Sequence, residues 1–315
     1  MIKSKYPVIA QTEFDLLYGR LKNWKRWGEH DEKGTLNYIT PEKIIAAAAL
    51  VKTGKTVSMS IPVNKNAEVD NLRPALHYMV QTHDSDPGLG NLGYATDFLA
   101  MQFHGDCHTH LDALCHISYK GLLYNGIPAP KVNVTGAGCL DITAIANGVA
   151  GRGVLIDIPR YRGVKWLEPG EAVTAEEIEA VEKHENVRLG QGDIMVFRTG
   201  QYRRRLEMGP WNPGAGGEGR AGLDPYCMEL LHERQVSAFL PEGDGEVAPS
   251  FVEGLRSPIH ILQINAMGML CADSLQLEEL SAACEEENRF VFMVTIAPLR
   301  LPGGTGSPFN PIAIF

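Results

Sequence analysis

Side chains that bind metal ions or transfer protons are concentrated in one segment, residues 103–126, which reads FHGDCHTHLDALCHISYKGLLYNG. Four of the chain's ten histidines and two of its six cysteines lie in its first fourteen residues. The potential ligands and proton carriers are His104, Asp106, Cys107, His108, His110, Asp112, Cys115 and His116. Because buried polar groups need partners, a core rarely tolerates such a cluster unless it binds something. Imidazole and carboxylate together suit Zn²⁺ or Mn²⁺.

An extended strand over residues 102–112 would place these groups in a defined pattern. Side chains alternate between the two faces of a strand. The polar face would then carry His104, Asp106, His108, His110 and Asp112. The other face would carry mostly small or apolar residues. This arrangement predicts a metal site, and the alternatives are a solvated hairpin or a structural zinc site that includes Cys107 and Cys115.

A metal ion held in this way would serve hydrolysis, because it lowers the pKa of bound water and polarises a carbonyl group. His116 follows Asp112 by four residues, beyond the expected end of the strand. Its near-neutral pKa suits a general base that takes a proton from the attacking water. The alternative is a structural histidine held by a backbone carbonyl.

Composition limits the classes of protein to consider. The chain has 315 residues, 44% of them hydrophobic, and a formal net charge of −9. The acidic excess disfavours nucleic acid and anionic membranes as partners. No apolar run approaches the ~18 residues of a spanning helix, and the N-terminal sequence does not resemble a signal peptide. Six cysteines are too few for a disulfide framework. We therefore expect a cytoplasmic protein with a small-molecule substrate.

Alternating helix and strand patterns predict an α/β fold with a mixed sheet in one domain, residues 1–315. A helix is expected over 40–54, with Thr40 as its cap, and another from Pro258 to Gly268. Glycine-rich stretches at 83–94 and 208–225 are expected to be loops.

Two further polar features have weaker implications. Arg198 ends a predicted strand and could bind a substrate carboxylate or pair with a structural acid. The sequence EGDGE, residues 242–246, favours a solvated acidic turn over an ion or substrate site. The glycine-rich GGTGSPFNP, residues 303–311, lacks the features of a phosphate loop and is expected to pack near the site.

The segment THLDALCHISYKGLLYNG resembles the signature of the cyclase family of metal-dependent hydrolases, which includes bacterial kynurenine formamidases and isatin hydrolases. The resemblance continues in WGEHDEKGTLNYITPEK, in PIHILQINAMGMLCADSLQLEEL and in APLRLPGGTGSPFNPIAIF. These segments occur in the order of the longer family members, and the resemblance extends across most of the chain.

The resemblance implies roles for individual residues. His110 and Asp112 match the central metal ligands, and His116 matches the acid/base histidine. The first ligand position holds Asp106 where the family has histidine, so His104 or His108 are alternatives for that ligand. His260 and Asp273 match a histidine and an acidic residue that complete a second metal site, with aspartate in place of the usual glutamate. Apart from the resemblance, His108 and Arg198 are candidates for binding substrate.

The family also implies a swivelling β/β/α fold, here with an N-terminal extension of about 40 residues. It implies one or two Zn²⁺ or Mn²⁺ ions and a homodimer or homotetramer. The expected activity is hydrolysis of an amide, lactam or ester bond in a small molecule, aromatic ones included. The alternatives are a metal-dependent cyclase or dehydratase, and a metal-binding protein of the same fold without catalysis.

Overall fold

A curved mixed sheet, nine-stranded in the described part of the chain, forms the centre of the molecule. Its strands lie side by side in the order 56–58, 312–314, 291–296, 149–157, 194–198, 238–241, 270–273, 110–112 and 306–308. The computed structural model describes residues 6–84, 90–214 and 216–315. The strands of this part are β1 (Thr56–Ser58), β2 (Leu76–Gln81), β3 (Thr96–Ala100), β4 (His110–Asp112), β5 (Val132–Asn133), β6 (Gly136–Ala137), β7 (Val149–Asp157), β8 (Ala172–Val173), β9 (Ile194–Arg198), β10 (Gly222–Leu223), β11 (Ala238–Pro241), β12 (Leu270–Asp273), β13 (Val291–Ile296), β14 (Gly306–Pro308) and β15 (Ile312–Ile314).

Helices flank the sheet. The α-helices of the described residues are α1 (Gln11–Arg20), α2 (Pro41–Ala48), α3 (Ile158–Arg162), α4 (Ala175–His184), α5 (Gln201–Met208), α6 (Cys227–Glu233), α7 (Pro258–His260) and α8 (Glu278–Glu286). Short 3₁₀ turns cover Gly34–Tyr38, Tyr124–Gly126, Ala129–Lys131 and Ile142–Ile145, and a π-helical turn covers Ile261–Ala266. The expected α/β class with a mixed sheet and flanking helices is confirmed. No helix in this part of the chain is long and apolar enough to cross a bilayer.

The four central strands β7, β9, β11 and β12 run parallel to one another, whereas the outer neighbours β13 and β4 are antiparallel to them. Both faces of the sheet are covered. In β9, Met195 and Phe197 pack into one hydrophobic cluster, while Ile194 and Val196 pack into the cluster on the other face. This explains why the central strands read as continuous apolar runs rather than alternating ones. The polar groups of the site therefore lie at strand ends and on β4, which pairs with β12 on one side and with β14 on the other.

Local signals in the sequence account for several helix ends. The Thr40 side chain accepts a hydrogen bond from the Lys43 amide and begins α2. The helix ends at Ala48, earlier than expected. Pro258 begins α7, which continues into the π-helical turn before Gly268 turns the chain at φ +63°.

The expected strand over 102–112 is wrong for all but its last three residues. Only His110–Asp112 pairs in the sheet, and residues 102–109 are irregular. Gly105 lies at φ +152°, which breaks the alternation that an extended strand would impose. His104, Asp106 and His108 therefore do not share one face with β4.

The expected loops 83–94 and 208–225 include residues 85–89 and 215, which lie outside the described residues. Residues 1–5 of the expected N-terminal extension lie outside them as well. The segment 208–225 is not wholly a surface excursion, since it contains buried Trp211 and strand β10.

Candidate metal centre

The site is built on the antiparallel pair β4 and β12. In this register His110 lies opposite Asp273, and Asp112 lies opposite Cys271. Directly opposed residues share a face of the sheet, as do residues two apart in one strand. Four potential ligand residues therefore form a square on one face, while the intervening Leu111 is fully buried on the other.

His260 completes the buried half of this site from helix α7. Its Nε2 lies 3.1 Å from Asp273 Oδ2 and 3.7 Å from Asp112 Oδ2. Its Nδ1 lies 3.1 Å from Glu246 Oε1. The Glu246 carboxylate also accepts hydrogen bonds from the backbone amides of Ile259 and His260, at 3.1 and 2.9 Å. Glu246 thus fixes both the start of α7 and the orientation of the imidazole.

His104 approaches Asp112 from the irregular segment before β4. Its Nδ1 lies 2.9 Å from Asp112 Oδ1, and its Nε2 lies 3.0 Å from Thr305 Oγ1. Gly306 of β14 pairs with Asp112 on the other side of β4. A Cβ atom at Gly306 would lie 2.8 Å from His104 Cε1 and 2.2 Å from the Leu111 carbonyl oxygen. The glycine therefore leaves the space that the His104 ring occupies.

The Asp112 carboxylate lies at the centre of the site and is 1% exposed. The imidazole nitrogens of His110, His116 and His260 lie 3.6 to 3.7 Å from its oxygens. Among the described residues, neither Asp112 oxygen has an aligned hydrogen-bond donor, despite the short approach of His104. Burial alone would raise the pKa of Asp112, but the facing imidazoles outweigh it and hold that pKa well below its usual range.

This arrangement fits a divalent cation. A fully buried carboxylate without a donor carries a large energetic cost unless a positive charge compensates it. Two groups of ligand atoms share Asp112, each with its atoms within 4.8 Å of one another. One group is His104, His110 and Asp112, and the other is Asp112, His260, Cys271 and Asp273. Oxygen, nitrogen and sulfur donors in such sets are those that transition-metal ions prefer.

His116 stands at the edge of the same site. Its ring stacks on His104 with centroids 4.0 Å apart and planes at 6°. Its side chain is 28% exposed, more than that of His110 or His260. Burial lowers the pKa of His116 to about 4, so its imidazole is neutral at neutral pH. A neutral imidazole beside the metal ligands can accept a proton.

Two of the predicted ligand candidates, Asp106 and His108, lie outside this cluster. The Asp106 carboxylate is 2.5 Å from the Arg220 guanidinium, which also contacts Asp244 at 2.7 Å. His108 is buried, with Nε2 3.1 Å from the Asn64 carbonyl oxygen. The structure places His104, not Asp106 or His108, against Asp112.

Arg198, a candidate for binding substrate, and Cys107, a candidate ligand of a structural zinc site, both contact other groups. Arg198 donates to both oxygens of Glu278 and to Asp157, so its guanidinium is engaged in structural ion pairs. The Cys107 thiol faces the Asp70 carbonyl oxygen at 2.7 Å, away from the cluster.

Sequence reasoning missed Glu246, Cys271 and Thr305. The expectation of a solvated turn at 242–246 is wrong, since Glu242 and Glu246 are at most 1% exposed. Cys271 lies two residues before Asp273. In a strand this spacing places both side chains on the same face, and it is the sequence signal that indicates Cys271 as a ligand. Thr305 belongs to the glycine-rich stretch that was expected to pack near the site.

A cavity of about 220 Å³ opens beside His104. Its walls come from the segments 70–73 and 102–108, and Arg73, Gln102 and Asp106 supply polar groups. His104 is thus a ligand candidate that also faces a space for a small molecule.

Comparisons with known proteins identify the family of the chain. A family model named Cyclase, described as "Putative cyclase", matches residues 30–243. The chain belongs to the cyclase family. A crystal structure described as a novel cyclase is 32% identical, with a TM-score of 0.83, and the match covers 94% of this chain and all of that one. No protein of curated function matches the chain.

More distant members of this cyclase fold include isatin hydrolases. Isatin hydrolase A from Ralstonia solanacearum is 19% identical with a TM-score of 0.57, over 87% of this chain and 97% of that one. Isatin hydrolase A from Labrenzia aggregata, bound to benzyl benzoate, is 20% identical with a TM-score of 0.59, over 86% and 97%. At this identity the likeness concerns the fold.

Proposed function

We propose that this cyclase-family protein is a metal-dependent hydrolase that cleaves an amide, lactam or ester bond in a small molecule. The observation that carries the proposal is the buried, donor-free carboxylate of Asp112 surrounded by imidazoles. Membership of the cyclase family and the shared fold with isatin hydrolases support it. The cavity beside His104, of about 220 Å³, is smaller than the ~300–1,000 Å³ of typical ligand pockets, which favours a substrate of few atoms.

The ligands would be His104, His110, Asp112, His260 and Asp273, with Zn²⁺ or Mn²⁺ as the ion. A bound ion of this kind activates water and polarises a carbonyl group. Glu246 would keep the His260 ring in its ligating orientation, since it holds Nδ1 and leaves Nε2 toward the carboxylates. Thr305 would do the same for His104 through Nε2.

His116 would transfer the proton of the reaction. Its neutral imidazole accepts a proton as water adds to the carbonyl carbon. It then donates that proton to the leaving nitrogen or oxygen as the carbon–heteroatom bond breaks. The His116 ring stacks on His104, and His104 lines the wall of the cavity.

A reducing compartment such as the cytoplasm is part of this proposal. All six cysteines lie in the described residues and none forms a disulfide.

The test combines elemental analysis with a panel of formyl-amides, lactams and aryl esters. We expect the purified protein to contain Zn or Mn and to hydrolyse members of the panel, with loss of activity after chelation. His116→Gln should retain the metal but lower kcat by about 10²–10⁴-fold. The matched control His184→Gln removes an exposed imidazole remote from the site and should leave kcat unchanged.

Other outcomes would reject or redirect the proposal. A protein that binds neither ion, even after incubation, would rule out the metal-dependent mechanism. Product that forms without uptake of oxygen from isotope-labelled water would instead favour the cyclase or dehydratase alternative.

A further inference from the structure

We propose that Cys271 is a thiolate ligand of the buried metal position. The proposal rests on the metal site of the proposed function, but it concerns a residue that the family resemblance did not indicate. It also distinguishes the two groups of ligand atoms chemically, because only one of them contains sulfur.

The register of β4 and β12 places the thiol in the site. Cys271 lies opposite Asp112, and it precedes Asp273 by two residues on the same face. Its Sγ lies 3.4 Å from Asp273 Oδ1. Together with Asp112 and His260, these residues offer ligand atoms that all lie within 4.8 Å of one another. These four residues would supply the four ligands that zinc usually takes in proteins.

A second observation points to a ligand at this position. Both oxygens of Asp112 are buried without a donor, and the carboxylate is directed toward the face that Cys271 shares. The other buried cysteines have different surroundings. Cys107 and Cys227 direct their thiols at the backbone carbonyls of Asp70 and Val173, whereas the Cys271 thiol faces a carboxylate.

The consequence is a site with two unlike positions that share Asp112. A position containing thiolate favours Zn²⁺ or Co²⁺ over Mn²⁺, because soft ligands prefer softer ions. It is also fully buried, so its ion should exchange slowly. The position formed by His104, His110 and Asp112 has only nitrogen and oxygen donors and borders the cavity. Binding at the first position would release the Cys271 thiol proton to solvent as the sulfur–metal bond forms.

Cobalt titration of the chelator-treated, full-length protein tests this assignment. Co²⁺ bound to thiolate gives a sulfur-to-metal charge-transfer band in the near ultraviolet, which nitrogen and oxygen ligands do not give. We expect this band to grow with the first equivalent of Co²⁺ and then to remain constant. Cys271→Ser should lose the band, while the matched control Cys107→Ser should keep it.

Zinc-edge X-ray absorption of the wild-type protein gives an answer that does not depend on a variant folding. One sulfur neighbour at about 2.3 Å from zinc would support the assignment, and a shell of only nitrogen and oxygen would overturn it. Co²⁺ that binds without a charge-transfer band would refute the role of Cys271 and leave the hydrolase proposal intact. Failure to bind Co²⁺ or Zn²⁺ at all would refute both.

Discussion

Asp112 is the residue on which both metal positions depend, because it is the one side chain the two groups of ligand atoms share. We expect Asp112→Asn to abolish most metal binding, since the amide preserves the shape but removes the charge. Ligand at 100 times its Kd stabilises the folded state by about 2.7 kcal/mol, and the variant should lose this increment. Metal content and thermal unfolding with and without chelator measure both effects.

Asp106→Asn is the matched control for this prediction. The Asp106 carboxylate forms an ion pair with Arg220 and does not contact the cluster around Asp112. The variant should therefore keep the metal and respond to chelator as the wild type does. Metal retained by Asp112→Asn would contradict the shared role of Asp112. Metal lost from Asp106→Asn would show that Asp106, and not His104, supplies the first ligand.

At the scale of elements, the sequence predicted the residues of the site better than the backbone that carries them. The spacing of His110 and Asp112 was sufficient because both lie in a true strand, β4. The alternation failed for Asp106 and His108, because residues 102–109 are irregular and Gly105 lies at positive φ, and the periodicity of a single sequence cannot detect such a break. Cys271 and Glu246 reach the site only through the pairing of β12 and the start of α7, which are contacts between distant parts of the chain.

Strand β14 limits the space at the site, and this can be tested at Gly306. Gly306→Ala would place a methyl group against the His104 ring and the Leu111 carbonyl oxygen. Overpacking of this kind typically costs about 1–3 kcal/mol, so we expect a lower unfolding midpoint in chemical denaturation and weaker metal binding. Gly19→Ala on α1 has no atom within 4 Å and should not weaken either property. Equal metal affinity in Gly306→Ala would mean that His104 is not a ligand.

The junction between β11 and α5 should make stability depend on pH. Burial raises the pKa of Glu242 to about 7 from its ordinary value of 4.5. Its Oε2 accepts hydrogen bonds from the backbone amides of Thr199, Gly200 and Gln201, at 2.9, 2.5 and 3.2 Å. Its Oε1 has no hydrogen-bond partner among the described residues. The folded state therefore binds this proton more tightly than the unfolded state. Its contribution to stability is complete below pH 4.5 and is lost as the pH rises through 7.

We expect Glu242→Gln to remove this loss, which amounts to roughly 3 kcal/mol for the raised pKa. The measurement is the free energy of unfolding of both proteins at several pH values between 4 and 8. Their difference should grow in favour of the variant as the pH rises. Glu177→Gln, which removes a carboxylate paired with Arg162, should show no such trend. A constant difference between Glu242→Gln and wild type would contradict the prediction.

At the scale of the whole molecule, the hairpin formed by β2 and β3 is largely exposed to solvent in a single copy of the described chain. Both of its faces carry exposed apolar side chains, which are 42 to 65% accessible. They are Leu76, Tyr78, Met79, Val80, Phe98 and Leu99. An isolated two-stranded hairpin is at best marginally stable. Tyr78 stacks on Phe98 with centroids 5.0 Å apart, so the hairpin is ordered around an aromatic pair that lies largely in solvent.

We predict that a second copy of this chain covers the hairpin in a homodimer or homotetramer. The exposed apolar surface is roughly 600 Å² per copy, which approaches the ~800 Å² per partner of a standard interface. The segments that lead into and out of the hairpin, residues 70–73 and 102–108, also line the cavity beside His104. Association would therefore fix the walls of that cavity as well as cover the hairpin.

Light scattering during size-exclusion chromatography measures the association. We expect the wild-type protein to elute as a dimer or tetramer at micromolar concentration. The double variant Tyr78→Ser and Val80→Ser should shift it toward monomer and raise KM, because the segments 70–73 and 102–108 lose their support while the metal ligands remain. Val134→Ser changes a fully exposed valine elsewhere and should alter neither mass nor KM. A wild-type monomer, or a double variant with unchanged mass, would show that the hairpin is not the contact between copies.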